Sequence, residues 1–203
     1  MGIFTAKNAG RAFMVVGALT FLGGVLSIIL PLIDFPGFDD HDIVYFIILA
    51  FGQFFAGALY FVYGRRANDG RMANIVHVLS RFVEVIGMAA IISGVCSTAA
   101  SMYPDIDLDA FFAGAVSSII VGLILIILPT RIVDGRRAFV DKAIWTILLI
   151  AFLVLFLVSL LEVIGVDNVV AGAIGILTYI FMIILLFDPE VEVSMGIRAE
   201  EDL

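Results

Sequence analysis

Cysteine is almost absent from this chain: Cys96 is the only one in 203 residues. No internal disulfide can form, and no dithiol redox cycle can run within one molecule. Cys96 lies in an apolar stretch, where a lone thiol packs as a small hydrophobe. Histidine is nearly as scarce, with only His41 and His77. There is no His-Glu-x-x-His zinc motif, no Gly-x-Ser-x-Gly elbow and no phosphate-binding loop. The chain is therefore read as non-enzymatic, with no catalytic residues, no metal ligands and no cofactor.

Charge is sparse as well. Charged residues make up 15% of the chain and hydrophobic residues 63%, against about 25% and 45–50% in ordinary soluble domains. The mean hydropathy is +1.17. A globule of this size has too much surface to hide so much hydrocarbon from water, so lipid must cover part of it. Cations are the scarcer sign, with 11 Lys and Arg against 19 Asp and Glu. They form no basic stripe of the kind that nucleic acid requires, and nucleic acid is not an expected partner.

What is present is a strict sorting of those few cations. Six apolar stretches, Ala12–Ile33, Ile43–Tyr63, Phe82–Ala100, Ala110–Pro129, Ala143–Ile164 and Val169–Phe187, each approach the ~20 residues of a spanning helix. The first is about 22 residues long, beyond the 7–15 of a secretory signal, and reads as a retained span. Lys7 and Arg11 precede span one. Arg65, Arg66, Arg71 and Arg81 separate spans two and three, and Arg131, Arg136, Arg137 and Lys142 separate spans four and five. Arg198 follows span six. The alternate gaps hold Asp34, Asp39, Asp40, His41 and Asp42, then Asp105, Asp107 and Asp109, then Glu162 and Asp167, with no Lys or Arg. Retention of cations on the cytoplasmic side predicts both termini inside. The expected protein is an all-α, six-span, multi-pass protein of the cell membrane. His41 and His77 then lie on opposite sides, which excludes haem ligation by a histidine pair.

Proline is limited to five residues. Pro31 and Pro129 are expected to end their helices, and Asp188-Pro189 to stop the last span. Glycine is plentiful: Gly17, Gly23, Gly24, Gly52, Gly57, Gly114, Gly122, Gly172 and Gly175 all lie in spans. Helices in hydrocarbon associate through such small residues, with pore lining as the alternative. Span five has no glycine between Ile144 and Leu161, so it is expected at the lipid-facing periphery.

Three lead-in segments look alike: Ala9-Gly10-Arg11-Ala12-Phe13, Asp69-Gly70-Arg71-Met72-Ala73 and Asp134-Gly135-Arg136-Arg137-Ala138-Phe139. Their glycines stand 60 and then 65 residues apart. This suggests a two-helix unit present three times, at about 8–66, 68–132 and 133–187, within one transmembrane domain spanning 1–187. Units with an even number of spans share one orientation, so three hairpins about an axis along the membrane normal are expected. Residues 188–203 form an acidic cytoplasmic tail, expected to be solvated and mobile, with a partner-binding strand as the alternative.

Few polar positions enter the apolar zone. Asn74, His77, Arg81 and Glu84 recur at spacings of three, four and three, which places them on one helix face. On the 60-residue offset their first-unit counterparts are Met14, Gly17, Phe21 and Gly24, so only the middle unit carries the ladder. Ionisable groups at such depth are candidates for a proton or ion relay. Anchoring and local pairing of Arg81 with Glu84 is the other reading. Gln53 is the strongly polar side chain at the centre of span two, and its amide needs a partner on a neighbouring helix. Ser117, Ser118, Thr178 and Tyr179 are the expected candidates. The run Asp105-Ile106-Asp107-Leu108-Asp109 lacks the Gly and Glu of an EF-hand, whose places are taken by Ala110 and Val116.

Gly17, Gly23, Gly24 and Pro31 of span one resemble Gly114, Gly122 and Pro129 of span four. Both helices are similar to the Gly-spaced, Pro-terminated helices of the HdeD-like short-repeat membrane proteins. That resemblance implies six spans in repeated hairpins and, for some members, a link to acid stress; it brings no catalytic residues. The expected function is that of a small membrane protein acting through packing, oligomerisation or a partner complex. Its partners are the bilayer and a second copy or another membrane protein. The alternative is a proton or small-cation transporter with an acidic outer mouth.

Overall fold

The computed structural model describes residues 5–34, 40–102, 108–132, 138–165 and 169–199, and within them the chain is helical, without strands. The helices are α1 (Ala6–Asp34), α2 (Asp40–Asn68), α3 (Ile75–Met102), α4 (Leu108–Ile132), α5 (Ala138–Ile164), α6 (Val169–Leu186) and a short α7 (Pro189–Ser194). Asp39, Asp105, Asp107, Asp167, Asp134, Gly135, Arg136, Arg137, Glu200, Glu201 and Asp202 lie outside the described residues, as do the side chains of Asp40, His41, Asp42 and Arg131 and the packing of Gly114.

Five helices are long and apolar enough to cross a membrane: Ala6–Ile29, Ile43–Asn68, Ile75–Ala100, Phe139–Ile164 and Val169–Leu186. In α4 the apolar stretch among the described residues is the shorter Ala115–Pro129. The helices outrun the apolar stretches because their ends are capped in the polar zone. Thr5 Oγ1 accepts the Asn8 N–H at 3.2 Å, which starts α1 well before Ala12. Asn74 Oδ1 accepts the His77 N–H at 2.9 Å and starts α3 two turns before Phe82. Pro31 and Pro129, expected as terminators, both lie inside their helices, each within one turn of the end. There a proline removes only one late hydrogen bond.

Each sequential pair packs antiparallel along a seam whose contacts recur every seven residues on its first helix, the period of long-contact helix pairs. On α1 and α2, Gly10 faces Gly64, Gly17 faces Gly57 and Gly24 faces Ala50. On α3 and α4, Ser80 Oγ donates to the Pro129 carbonyl at 3.2 Å, Gly87 faces Gly122 and Gly94 faces Ser118. On α5 and α6 large side chains take over. Trp145 Nε1 donates to the Leu186 carbonyl at 2.9 Å, Phe152 stacks on Tyr179, and only at Ser159 and Gly172 do the backbones close in.

Gly10, Ser80 and Trp145 are the first of these seam residues on α1, α3 and α5. The lead-in glycines are not equivalent. Gly10 is buried inside α1, whereas Gly70 sits in the α2–α3 turn with φ +74°.

The seams between hairpins are unequal. Among the described residues α2 packs extensively on α3, whereas α1 meets α6 and α4 meets α5 only slightly. A threefold arrangement would make these three seams alike. α3 is the most buried of the apolar helices and α5 the least, the peripheral place that its lack of glycine suggested.

The C-terminal segment corrects the expectation of a solvated tail. Asp188 ends α6 and at once caps α7, its carboxylate accepting the Glu190 N–H at 3.1 Å with Pro189 as the first helical residue. Val191 and Met195 are fully buried in the core with Met72, Ile75 and Leu79. Glu192 is largely buried and pairs with Arg198 at 3.1 Å. The Glu-Val alternation thus belongs to a docked helical turn rather than to a strand.

Candidate functional site

The polar residues anticipated within the spans separate into two places. Asn74, His77, Arg81 and Glu84 stay together at the end of the bundle that gathers Lys7, Arg11, Arg65, Arg66 and Arg71. Asn74 caps α3 through its side-chain oxygen. Arg81 Nε donates to His77 Nε2 at 3.4 Å, and its Nη1 donates to Glu84 Oε2 at 2.7 Å. The pair is partly exposed, with 46% of the Arg81 side chain and 26% of the Glu84 side chain accessible. An i,i+3 pair so exposed contributes about 0.3–0.5 kcal/mol. Its chemistry closes on α3 itself.

Gln53 lies farther along the bundle. Ser27 Oγ, on α1, donates to Gln53 Oε1 at 3.3 Å while also donating to the Gly23 carbonyl at 2.9 Å. The expected kind of partner, a hydroxyl on a neighbouring helix, is present. The residue is Ser27 and not Ser117, Ser118, Thr178 or Tyr179. Ser118 instead fills the gap above Gly94. Thr178 donates back to the Ile174 carbonyl at 2.8 Å within its own helix.

Gln53 borders a cavity of about 210 Å³ between α1, α2, α3 and α6. Its polar lining is Thr20, Gln53, Tyr60, Ser93, Thr178 and Tyr179, and the rest is Ala, Ile and Gly. Every one of these polar groups is neutral, and His77, Arg81 and Glu84 are not in the lining. One turn or more along α3 toward the cationic end, Phe82 stacks face to face on Phe13, and Phe181 meets Phe13 edge-on. Phe13 and Phe82 are fully buried, so the bundle is closed by packed aromatic rings about one turn from the cavity on the side of His77 and Arg81. Sequence inspection did not find this cavity, because its hydroxyls are common helix residues brought together only by the seam register. Among the described residues no three His, Cys, Asp or Glu side chains converge as metal ligands. No protein family, curated protein or solved structure matches the chain.

Proposed function

We propose that this chain is a six-span membrane protein of three hairpins, with both termini cytoplasmic, acting as a packing and partner-binding scaffold rather than as an enzyme or an ion conduit. α4 is the sixth span in this reading. Its 25 residues reach roughly 37 Å at 1.5 Å per residue, beyond a hydrocarbon core of about 30 Å, and it runs antiparallel to α3. The recurrent seam register favours a common origin for the hairpins, in keeping with the resemblance to HdeD-like repeat proteins. Orientation rests on the sorted cations.

The observation that carries the scaffold reading is the neutrality of the mid-depth cavity. A proton or cation path through hydrocarbon needs ionisable or strongly coordinating groups along its length. Glu84, a carboxylate close to the proposed inner boundary, is paired with Arg81 outside the cavity. Purified protein in liposomes is expected to pass protons and potassium no faster than empty liposomes, and Gln53→Leu and Glu84→Gln are expected to leave that baseline unchanged. Flux well above baseline, abolished by either substitution in a folded protein, would establish the transporter alternative instead.

A further inference from the structure

The cationic end of the bundle carries two adjoining hollows that the scaffold reading leaves unused. One, of about 320 Å³, is lined by Phe61, Val62, Arg65, Arg66, Asp69 and Arg71. The other, of about 350 Å³, is lined by Tyr63, Arg66, Arg71, Met72, His77 and Arg81. Arg66 and Arg71 border both.

The charges around this rim do not cancel. Arg65 has Asp69 at 3.8 Å and Arg81 has Glu84 at 2.7 Å. Arg66 and Arg71 have no acidic partner among the described residues. The Arg66 guanidinium lies over the Tyr63 ring, 5.1 Å from its centroid, which leaves its N–H edge free to face a ligand.

The frame that holds these cations is rigid. Gly70 N–H donates to the Ala67 carbonyl at 3.1 Å and Arg71 N–H to the Arg66 carbonyl at 3.0 Å, with Gly70 left-handed at φ +74°. These two bonds close α2 in a Schellman motif, and Asn74 then caps α3. The backbones of Arg66 and Arg71 are thus held in a fixed relation, and only their side chains remain to be ordered on binding.

The wall of the first hollow supplies the second half of the argument. Phe61 and Val62 are 40% and 46% exposed on the outward face of α2, and they adjoin the arginines directly. A soluble anion has no use for that apolar wall. An anionic phospholipid uses both parts, its phosphate between two guanidinium groups and an acyl chain along the helix. We infer that this rim is a binding site for an anionic phospholipid, its phosphate held by Arg66 and Arg71 and a chain lying on Phe61 and Val62. The inference rests on the membrane reading above.

The test uses the full chain in nanodiscs of equal phosphatidylglycerol and phosphatidylcholine, with the lipids retained on the released protein counted by native mass spectrometry. The native chain is expected to retain phosphatidylglycerol about tenfold over phosphatidylcholine, which corresponds to ~1.4 kcal/mol. Arg66→Gln with Arg71→Gln is expected to bring the ratio to within about twofold of one, and Arg71→Gln alone, on an exposed turn, to an intermediate value. Lys7→Gln with Lys142→Gln removes the same charge elsewhere at this end and should leave the ratio intact. A native ratio near one, equal losses in the two double variants, or displacement of the bound lipid by millimolar inorganic phosphate would overturn the assignment. A chain that does not enter nanodiscs at all refutes the membrane reading. One that enters without lipid preference refutes only the lipid site.

Discussion

A β-carbon on Gly17 would sit 2.6 Å from the Phe61 nitrogen and 2.7 Å from the Gly57 oxygen, whereas one on Gly70 would meet nothing within 4 Å. The two glycines are required for different reasons, and alanine separates them. At Gly17 the added methyl collides with backbone that cannot yield, so Gly17→Ala should destabilise the protein by about 1–3 kcal/mol or more through overpacking. At Gly70 only the left-handed backbone resists, so Gly70→Ala should cost about 1–2 kcal/mol. Detergent unfolding titrations measure both, and Gly17→Leu should fail to fold while Gly70→Leu folds. Equal tolerance of leucine at both sites would refute the seam. The same scale shows what the sequence could and could not reveal. Gln53 stands out as a lone mid-span amide, but its partner Ser27 depends on how closely Gly23 and Gly24 let α1 approach α2. A spacing of three marks both a shared helix face and a capping bond, so sequence alone does not tell the Asn74 cap from a side-chain ladder with His77.

At the scale of elements, hydropathy reports only the part of a helix that hydrocarbon covers. The six apolar stretches all became helices, yet α1 and α3 begin a turn or two earlier because Thr5 and Asn74 satisfy their first N–H groups in the polar zone. α7 was illegible for the opposite reason. Six residues, two of them acidic, read as solvated until the Asp188 cap turns Val191 and Met195 onto the core beside Met72 and Ile75. Met195→Ala should therefore lower stability by about 2–5 kcal/mol, the cost of a buried truncation, when measured by thermal unfolding in detergent. Ser194→Ala, on the exposed side, should change it by less than ~0.5 kcal/mol. Similar effects from the two substitutions would contradict the docking of α7.

At the scale of the whole molecule, the hairpins share a seam but not a set of neighbours. α3 lies centrally against α2 and α4, while α5 leaves most of its surface uncovered by the other helices. The lead-in motifs implied a threefold plan because Gly-Arg recurs at similar intervals. Burial tells these segments apart, since Gly10 is interior and Gly70 is in a turn. Pairing within each hairpin was readable from short acidic turns and long apolar runs. Contact between hairpins was not, because it depends on which glycines meet, and the glycines of α3, Gly87 and Gly94, carry the α3–α4 seam unannounced.

The central claim is that α4 crosses the bilayer, so that the acidic turns and the cations lie on opposite faces. Asp109 and Lys142 are both exposed and stand at the two ends of the α4 passage. In a Cys96→Ala background, single substitutions Asp109→Cys and Lys142→Cys would be labelled in intact cells with a membrane-impermeant maleimide. Labelling of Asp109→Cys from outside, with Lys142→Cys labelled only after lysis, is the expected result. Labelling of both positions from the same face would contradict the account.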